Sequence, residues 1–163
     1  MVNKTTEKDL GFKRIISELK KAENSFVTVG IHQKKGEKKY DNGATVVLVG
    51  ATHEFGTNEA GRGGNVTIPE RSWLRSTFDE NRKDWQKLTK KLYDSVLTGK
   101  STTQKVLNQL GLVMMEKIKA KLITGDSKWP ALKPKTKARK TSTQTLIDSR
   151  KLLNSINFET KIK

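Results

Sequence analysis

Cysteine is absent from the 163 residues of the chain, which excludes disulfides and thiolate metal sites and suits a protein made in a reducing cytoplasm. Apolar residues are scarce at 33%, and aromatic residues make up only 6%. The core must therefore be modest, and neighbouring proteins could complete it. No run approaches the roughly eighteen apolar residues of a membrane span, and the charged N-terminus precedes no secretory apolar run. We expect no membrane partner.

Acidic residues are scarce in the second half of the chain. Residues 1–81 carry 13 basic and 11 acidic side chains by count, whereas residues 82–163 carry 20 and 6. The formal net charge of +16 therefore lies almost entirely in the second half. Such a charge attracts polyanions by counterion release, without reading a sequence. A lysine-rich solvated surface is the alternative interpretation, and composition alone leaves both open.

The spacing of apolar residues predicts one α+β domain over residues 1–163, with a small, mostly antiparallel sheet packed against two long helices. The long helices are expected to form an antiparallel hairpin, and an amphipathic helix at the start is expected to pack through Phe12, Ile15, Ile16 and Leu19. The predicted elements are a helix at 9–22, a strand at 25–33, helices at 72–98 and 102–123, and a closing strand at 156–163.

The connecting segments are less regular. The charged stretch 34–43 predicts a loop, the glycine-rich stretch 57–65 a mobile loop, and the stretch 126–144 an extended basic arm. Residues 44–54 are compatible with a strand or a buried helix, and we favour the helix. Asp148 is placed to cap a short helix within residues 145–156.

Several residues suggest chemistry, but none completes a site. His53-Glu54 resembles part of a zinc-peptidase motif, yet Thr57 stands where the second histidine is required. His32 is the only other histidine, too few ligands for a metal site. The glycines of 61–65 lack the Lys-Ser/Thr ending of a phosphate loop. We therefore expect no catalytic, metal or cofactor site.

Tryptophans and lysines are better candidates for contacts. Trp73 and Trp85 have helical spacing typical of core residues, whereas Trp129 lies in the basic stretch and could dock onto a partner. Glu70 and Arg71 are expected to fix the start of a helix or to form an intersubunit ion pair. The candidates for nonspecific contact with DNA phosphates are Lys133, Lys135, Lys137, Arg139 and Lys140.

Five short segments stand out along the chain: VTVGI (27–31), HEFGT (53–57), IPERSWLR (68–75), KWPALKPKTKARK (128–140) and TLIDSRKLLNSINFE (145–159). In this order they resemble the tail-completion or neck proteins of tailed phages, a family that includes virion-morphogenesis proteins of Mu-like phages. Family members commonly carry Pro-Phe where this chain has Ser72-Trp73, and Thr-Gly where it has Ser149-Arg150. Trp73 keeps an aromatic anchor, but Arg150 in place of glycine argues against a left-handed turn.

The resemblance implies a non-enzymatic virion protein without a cofactor, assembled in the host cytoplasm. It would form a ring of its own copies at the head–tail junction and contact connector proteins and the tail terminator or tail tube. The basic residues could then face genomic DNA in the lumen. Candidate anchors and interface residues are Phe55, Gly56, Arg62, Pro69, Arg71, Trp73, Arg75 and Trp129. The alternative, which rests on charge alone, is a basic protein that binds nucleic acid nonspecifically.

Overall fold

The computed structural model describes residues 9–61 and 63–163, and confirms the α+β class. In chain order the elements are α1 (Phe12–Glu23), β1 (Phe26–Ile31), α2 (Gln33–Gly36), α3 (Val46–Phe55), β2 (Thr57–Ala60), β3 (Val66–Ile68), α4 (Arg75–Leu97), α5 (Thr103–Thr124), α6 (Pro134–Arg139), α7 (Lys151–Ser155) and β4 (Ile156–Lys161). No helix among these residues is both long and apolar enough to cross a bilayer.

The first and last strands of the chain pair with each other. β1 and β4 are antiparallel, with Phe26 opposite Lys161 and Ile31 opposite Ile156. α5 packs across this ribbon at Gly111, where an added Cβ would lie 2.6 Å from the Phe158 ring and 2.8 Å from Val27. The glycine therefore allows the helix to approach the strands closely.

The two long helices form the predicted hairpin. α4 and α5 pack together, and Lys121 near the end of α5 binds Glu80 near the start of α4 at 2.9 Å. The main core lies where α5, α3, α7 and β4 meet; its buried members are Val46, Trp73, Ile118, Leu122, Leu146, Leu152 and Ile156. Trp85 is buried outside this cluster, with its ring 5.6 Å from that of Phe78.

The packing expected for α1 is right for only two of its four residues, because Ile15 and Ile16 are half-buried but the other two are exposed. Phe12 is 70% exposed and Leu19 39% exposed, whereas Glu18 is 8% exposed. The Glu18 carboxylate accepts the backbone N–H of Thr103 at 2.7 Å, and its carbonyl accepts the Thr103 hydroxyl at 2.8 Å. The helix thus buries a polar residue because that residue supplies the free N–H of the first turn of α5 with an acceptor.

Two predicted loops contain regular structure. Residues 57–60 form β2, which pairs with β3. Arg62, the expected tip contact, lies outside the described residues. The stretch 34–43 begins within α2 and contains an isolated bridge from Lys39 to Thr45. In both places the charged or glycine-rich composition predicted a loop, whereas backbone hydrogen bonds between residues close in sequence form regular structure.

The ambiguous segment is helical, as we favoured. The Thr45 hydroxyl caps α3 by accepting the backbone N–H of Leu48 at 3.3 Å. α4, by contrast, begins at Arg75, three residues after the predicted Ser72. Residues 72–74 instead approach a carboxylate from α3, which is described below.

The basic stretch 126–144 is not extended throughout, because Pro134 starts the short helix α6. Asp148 does not cap α7; its carboxylate accepts the backbone N–H and hydroxyl of Thr141 at 3.1 and 2.9 Å. Arg150 precedes α7 with φ 59° and ψ 8°, the only non-glycine positive φ among the described residues. The left-handed turn is therefore present despite the replacement of glycine.

Candidate functional site

Glu54 is the centre of the segment that the sequence marked as distinctive. It lies at the end of α3 and is 3% exposed. Its carboxylate accepts the backbone N–H groups of Trp73, Leu74 and Arg75 at 2.8, 2.8 and 2.9 Å. The Ser72 hydroxyl and Arg75 Nε also donate to it, at 2.8 and 3.0 Å. We call Glu54 and residues 72–75 the Glu54 joint.

The Glu54 joint explains how α4 begins although Leu74, the residue before it, offers no side-chain cap. A helix leaves its first N–H groups without partners, and a carboxylate there also complements the helix dipole. Burial alone would raise the pKa of Glu54, but the hydrogen bonds from Leu74, Arg75, Ser72 and Trp73 outweigh it and lower the pKa. A carboxylate has about four lone-pair positions. All are engaged here, so Glu54 is poorly placed to act as a base.

His53 is also unsuited to an acid or base role at neutral pH. Burial, assisted by the nearby charges of Arg71 and Lys140, lowers its pKa to about 4. Its Nδ1 is buried and, within the described chain, has no hydrogen-bond partner. His32 differs from His53, because both of its ring nitrogens are hydrogen-bonded, with Thr28 and Asn157, at 2.7 and 2.8 Å.

Metal ligands do not gather in the parts of the chain that the structure describes: residues 9–61 and 63–163 contain no group of three or more His, Asp or Glu that could hold an ion.

Gly56 and Pro69 lie where the chain turns between α3 and α4. Gly56 has φ 71°, and an added Cβ would lie 2.8 Å from the backbone nitrogen of Glu70. Phe55 is 61% exposed, and the Arg75 guanidinium carbon lies 4.6 Å above its ring. Arg75 also binds Glu70 at 2.7 Å. Glu70 thus helps to fix the start of α4 from within the same chain.

Arg71, Trp73 and Trp129 connect this region to other segments. Arg71 is 4% exposed and donates through Nε and Nη2 to the carbonyl of Pro130 at 3.2 and 2.9 Å. The Trp129 indole donates to the Ser72 carbonyl, and that of Trp73 to the Gly50 carbonyl, each at 3.2 Å. Trp129 is therefore partly buried against its own chain, rather than projecting into solvent.

The DNA candidates divide into two groups. Lys133, Lys135, Lys137 and Arg139 are exposed on or beside α6. Lys140 differs from the expectation, because it is half-buried and donates to the backbone carbonyls of Gln144 and Thr145. Two of the three N–H donors of its ammonium hold the following turn together, so only the other four candidates are exposed towards a polyanion in solution.

From the sequence, Glu54 was considered as part of a zinc-peptidase motif, and its capping role was not predicted. Glu18 was not predicted to have a role at all. Both cap helices whose starts lie far away in the chain, so helical periodicity gives no signal for them. Comparisons of the chain with protein-family models, curated proteins and solved structures found no match.

Proposed function

We propose that this chain is a non-enzymatic structural subunit of a tailed-phage particle, which forms a ring at the head–tail junction and joins connector to tail. Support comes from the order of the five segments that resemble tail-completion proteins, and from one observation about α3. Glu54, one of the two residues that suggested catalysis, is engaged in the Glu54 joint, while apolar side chains of the same helix face outward.

α3 is apolar on both sides. Val46, Gly50 and Glu54 are buried on its inner side. Val47, Leu48 and Phe55 on its outer side are 48%, 58% and 61% exposed. A helix that is apolar all round is normally buried, and clustered exposed apolar residues mark contact surfaces. We infer that a neighbouring subunit covers the outer side of α3, which we call the α3 face.

Exposed apolar side chains also lie on α1 and β1. Phe12 and Leu19 of α1 and Phe26 of β1 are 70%, 39% and 47% exposed. α1 packs on α4 and α5, whereas α3 packs on α2 and α7. Two different surfaces on one subunit are what a cyclic ring requires, because its contacts are heterologous.

The exposed cations of 133–139 fit a DNA-lined channel. Four basic side chains lie there within seven residues, without an acidic one. Contacts of this kind bind phosphates without reading bases. In the proposed ring this segment faces the lumen and the genome that passes through it.

Electron microscopy of the purified chain tests the assembly. We expect closed rings with a central channel. A chain that remains an 18.4 kDa monomer at every concentration, or grows only into open filaments, would contradict the proposal.

The alternative function, nonspecific nucleic-acid binding by the free protein, is favoured by the same four exposed cations. A DNA-binding titration across salt separates the two. The alternative expects tight binding by the monomer that weakens steeply with salt. The ring proposal expects weak binding by the monomer, strengthened on assembly, and reduced when Lys133, Lys135 and Lys137 are replaced by glutamate. If that triple replacement left DNA binding by the assembled ring unchanged, the lumen orientation would be wrong.

A further inference from the structure

A cavity of about 550 Å³ lies between β3, the end of α3, the segment 130–140 and residues 145–152. This volume is within the range of small-molecule sites. Its apolar wall includes Ile68, Pro69, Leu132 and Leu146. We call it the cationic cavity, because its charged lining residues are Arg71, Lys133, Lys140, Arg150, Lys151 and a single acid, Asp148.

The positive charges of the cationic cavity are poorly balanced. Asp148 is held by Thr141, and Lys151 pairs with Asp41 at 2.9 Å. Arg71 is 4% exposed, yet it forms no salt bridge with any carboxylate of the described residues. Its guanidinium has five N–H donors. A buried cation is costly unless it is paired, so the site is suited to an added anion.

His53 supplies a second indication. Its Nδ1 is the one buried side-chain nitrogen or oxygen of residues 9–61 and 63–163 that lacks a partner. The ring lines the same cavity, and the charges of Arg71 and Lys140 both act on it. Burial lowers the pKa of Arg71 and of Lys140; for Lys140 the charge of Asp148 opposes this effect and that of Arg71 adds to it. Three donor-bearing groups therefore line one cavity, whose single acid, Asp148, already accepts from Thr141.

We propose that the cationic cavity binds an oxyanion, a carboxylate or phosphate group carried on a partly apolar body. Arg71 and Lys140 receive its charge, and the neutral ring of His53 donates Nδ1–H to it. The apolar wall accommodates the body that carries the group. Two sources share this chemistry: a free organic acid or phosphate, and an acidic side chain of a second copy of this chain.

The two histidines allow a direct test. In protein labelled with ¹⁵N-histidine, inorganic phosphate or glutarate is added at constant ionic strength with chloride. The ring-nitrogen signals of His53 should shift and saturate, whereas those of His32, whose nitrogens already have partners, should not move. If the His53 signals do not move, or both histidines drift together without saturation, the proposal is overturned.

Lys133→Gln with Arg150→Gly gives a binding-deficient variant that should fold. Lys133 is exposed, and glycine suits the left-handed conformation of residue 150 better than arginine does. Removing two cations that line the cavity without holding the anion should weaken binding roughly threefold, as expected when nearby positive charge is lost. The control, Lys87→Gln with Lys105→Gln, removes the same charge from α4 and α5. Equal weakening in both variants would show a general charge effect and overturn the site.

The solution mass identifies the source. If the oxyanion belongs to a second copy, glutarate and the Lys133→Gln/Arg150→Gly variant should both reduce the oligomer mass. If it is a free molecule, the mass should stay constant while His53 still responds. Both results support the site, and ring formation without any response at His53 would refute the site alone.

Discussion

The Glu54 joint and the cationic cavity are neighbours along the chain, since residues 72–75 belong to the joint and Pro69 and Arg71 line the cavity, but their buried charges differ in their partners. In the joint, one buried carboxylate receives five donors, and Arg75 has two carboxylate partners. In the cavity, Arg71 is equally buried with only a carbonyl as acceptor. The comparison distinguishes two roles that a buried charged residue can have. A fully partnered group holds the fold, whereas one with spare donors is available to a ligand or neighbour.

Replacing Glu54 should have the largest effect on stability. Glu54→Gln turns an acceptor of five hydrogen bonds into an amide that faces donors, and we expect a loss of about 3 kcal/mol or more in the free energy of unfolding. Glu59→Gln on exposed β2 is the control and should change stability by less than about 0.5 kcal/mol. Urea unfolding measures both. Equal, small losses would show that Glu54 does not hold the joint.

Acid should destabilise the chain through His53 before it protonates Glu54. The folded pKa of His53 is about 4, below its ordinary 6.5, so the unfolded chain binds the proton first as the pH falls. Stability is therefore fully present above pH 6.5 and declines by about 3 kcal/mol down to pH 4. The lowered pKa of Glu54 adds a further loss at more acidic pH, below its ordinary 4.5.

His53→Leu checks the assignment, because it should flatten the pH dependence of urea unfolding between pH 6.5 and 4.5. These experiments use chloride at constant ionic strength, since an oxyanion buffer could occupy the cationic cavity. A slope that is unchanged in His53→Leu would mean that another group titrates in this window.

Replacing Gly56 or Gly43 with alanine should have a smaller effect on stability, and the two variants can be compared with each other. Alanine at position 56 would have to adopt a left-handed φ of 71°, and its Cβ would lie 2.8 Å from a backbone nitrogen. Gly56→Ala should therefore lower the free energy of unfolding by about 2 kcal/mol or more. Gly43→Ala has φ 83° and no atom within 4 Å, so only the conformational cost of about 1 kcal/mol remains. Thermal unfolding of the two variants measures the difference. Equal losses of stability would show that the backbone near Gly56 can shift to accommodate the added Cβ.

Arg150→Gly should have the smallest effect, with the opposite sign. Relief of the left-handed conformation exceeds the entropy that glycine adds to the unfolded chain, so we expect a gain of about 0.5 kcal/mol. Lys133→Gln, an exposed change nearby, should leave stability unaltered. A clear loss in Arg150→Gly would show that the arginine side chain itself stabilises the turn.

Local patterns predicted those parts of the fold that depend on apolar spacing. α5 begins and ends within one residue of its predicted limits, and the closing strand pairs with β1. The start of α4 was missed by three residues, because its first N–H groups are bound by a carboxylate about twenty positions earlier. Glu18 is missed for the same reason, since it lies 85 residues from Thr103.

The site was harder to predict than the fold. The sequence placed Arg71, Trp73 and Trp129 among the candidates, but only the structure brings Arg71 and Trp129 together through residues 72 and 130. Lys140 looked like its basic neighbours, yet two backbone carbonyls hold it inward. Hydrogen bonds of this kind, whether to the distant Pro130 or to the nearby Gln144, leave no periodic signal in a single sequence.

The central claim is that Glu54 finds all its hydrogen-bond partners within one chain, whereas the exposed apolar side chains of the α3 face are covered by a neighbouring subunit. Light-scattering mass of Leu48→Gln against Lys87→Gln, over a range of concentrations, tests it most directly. We predict that the wild type and Lys87→Gln form an oligomer, and that Leu48→Gln shifts towards the 18.4 kDa monomer without losing stability. An oligomer of unchanged mass in Leu48→Gln, or a wild type that is monomeric throughout, would contradict the claim.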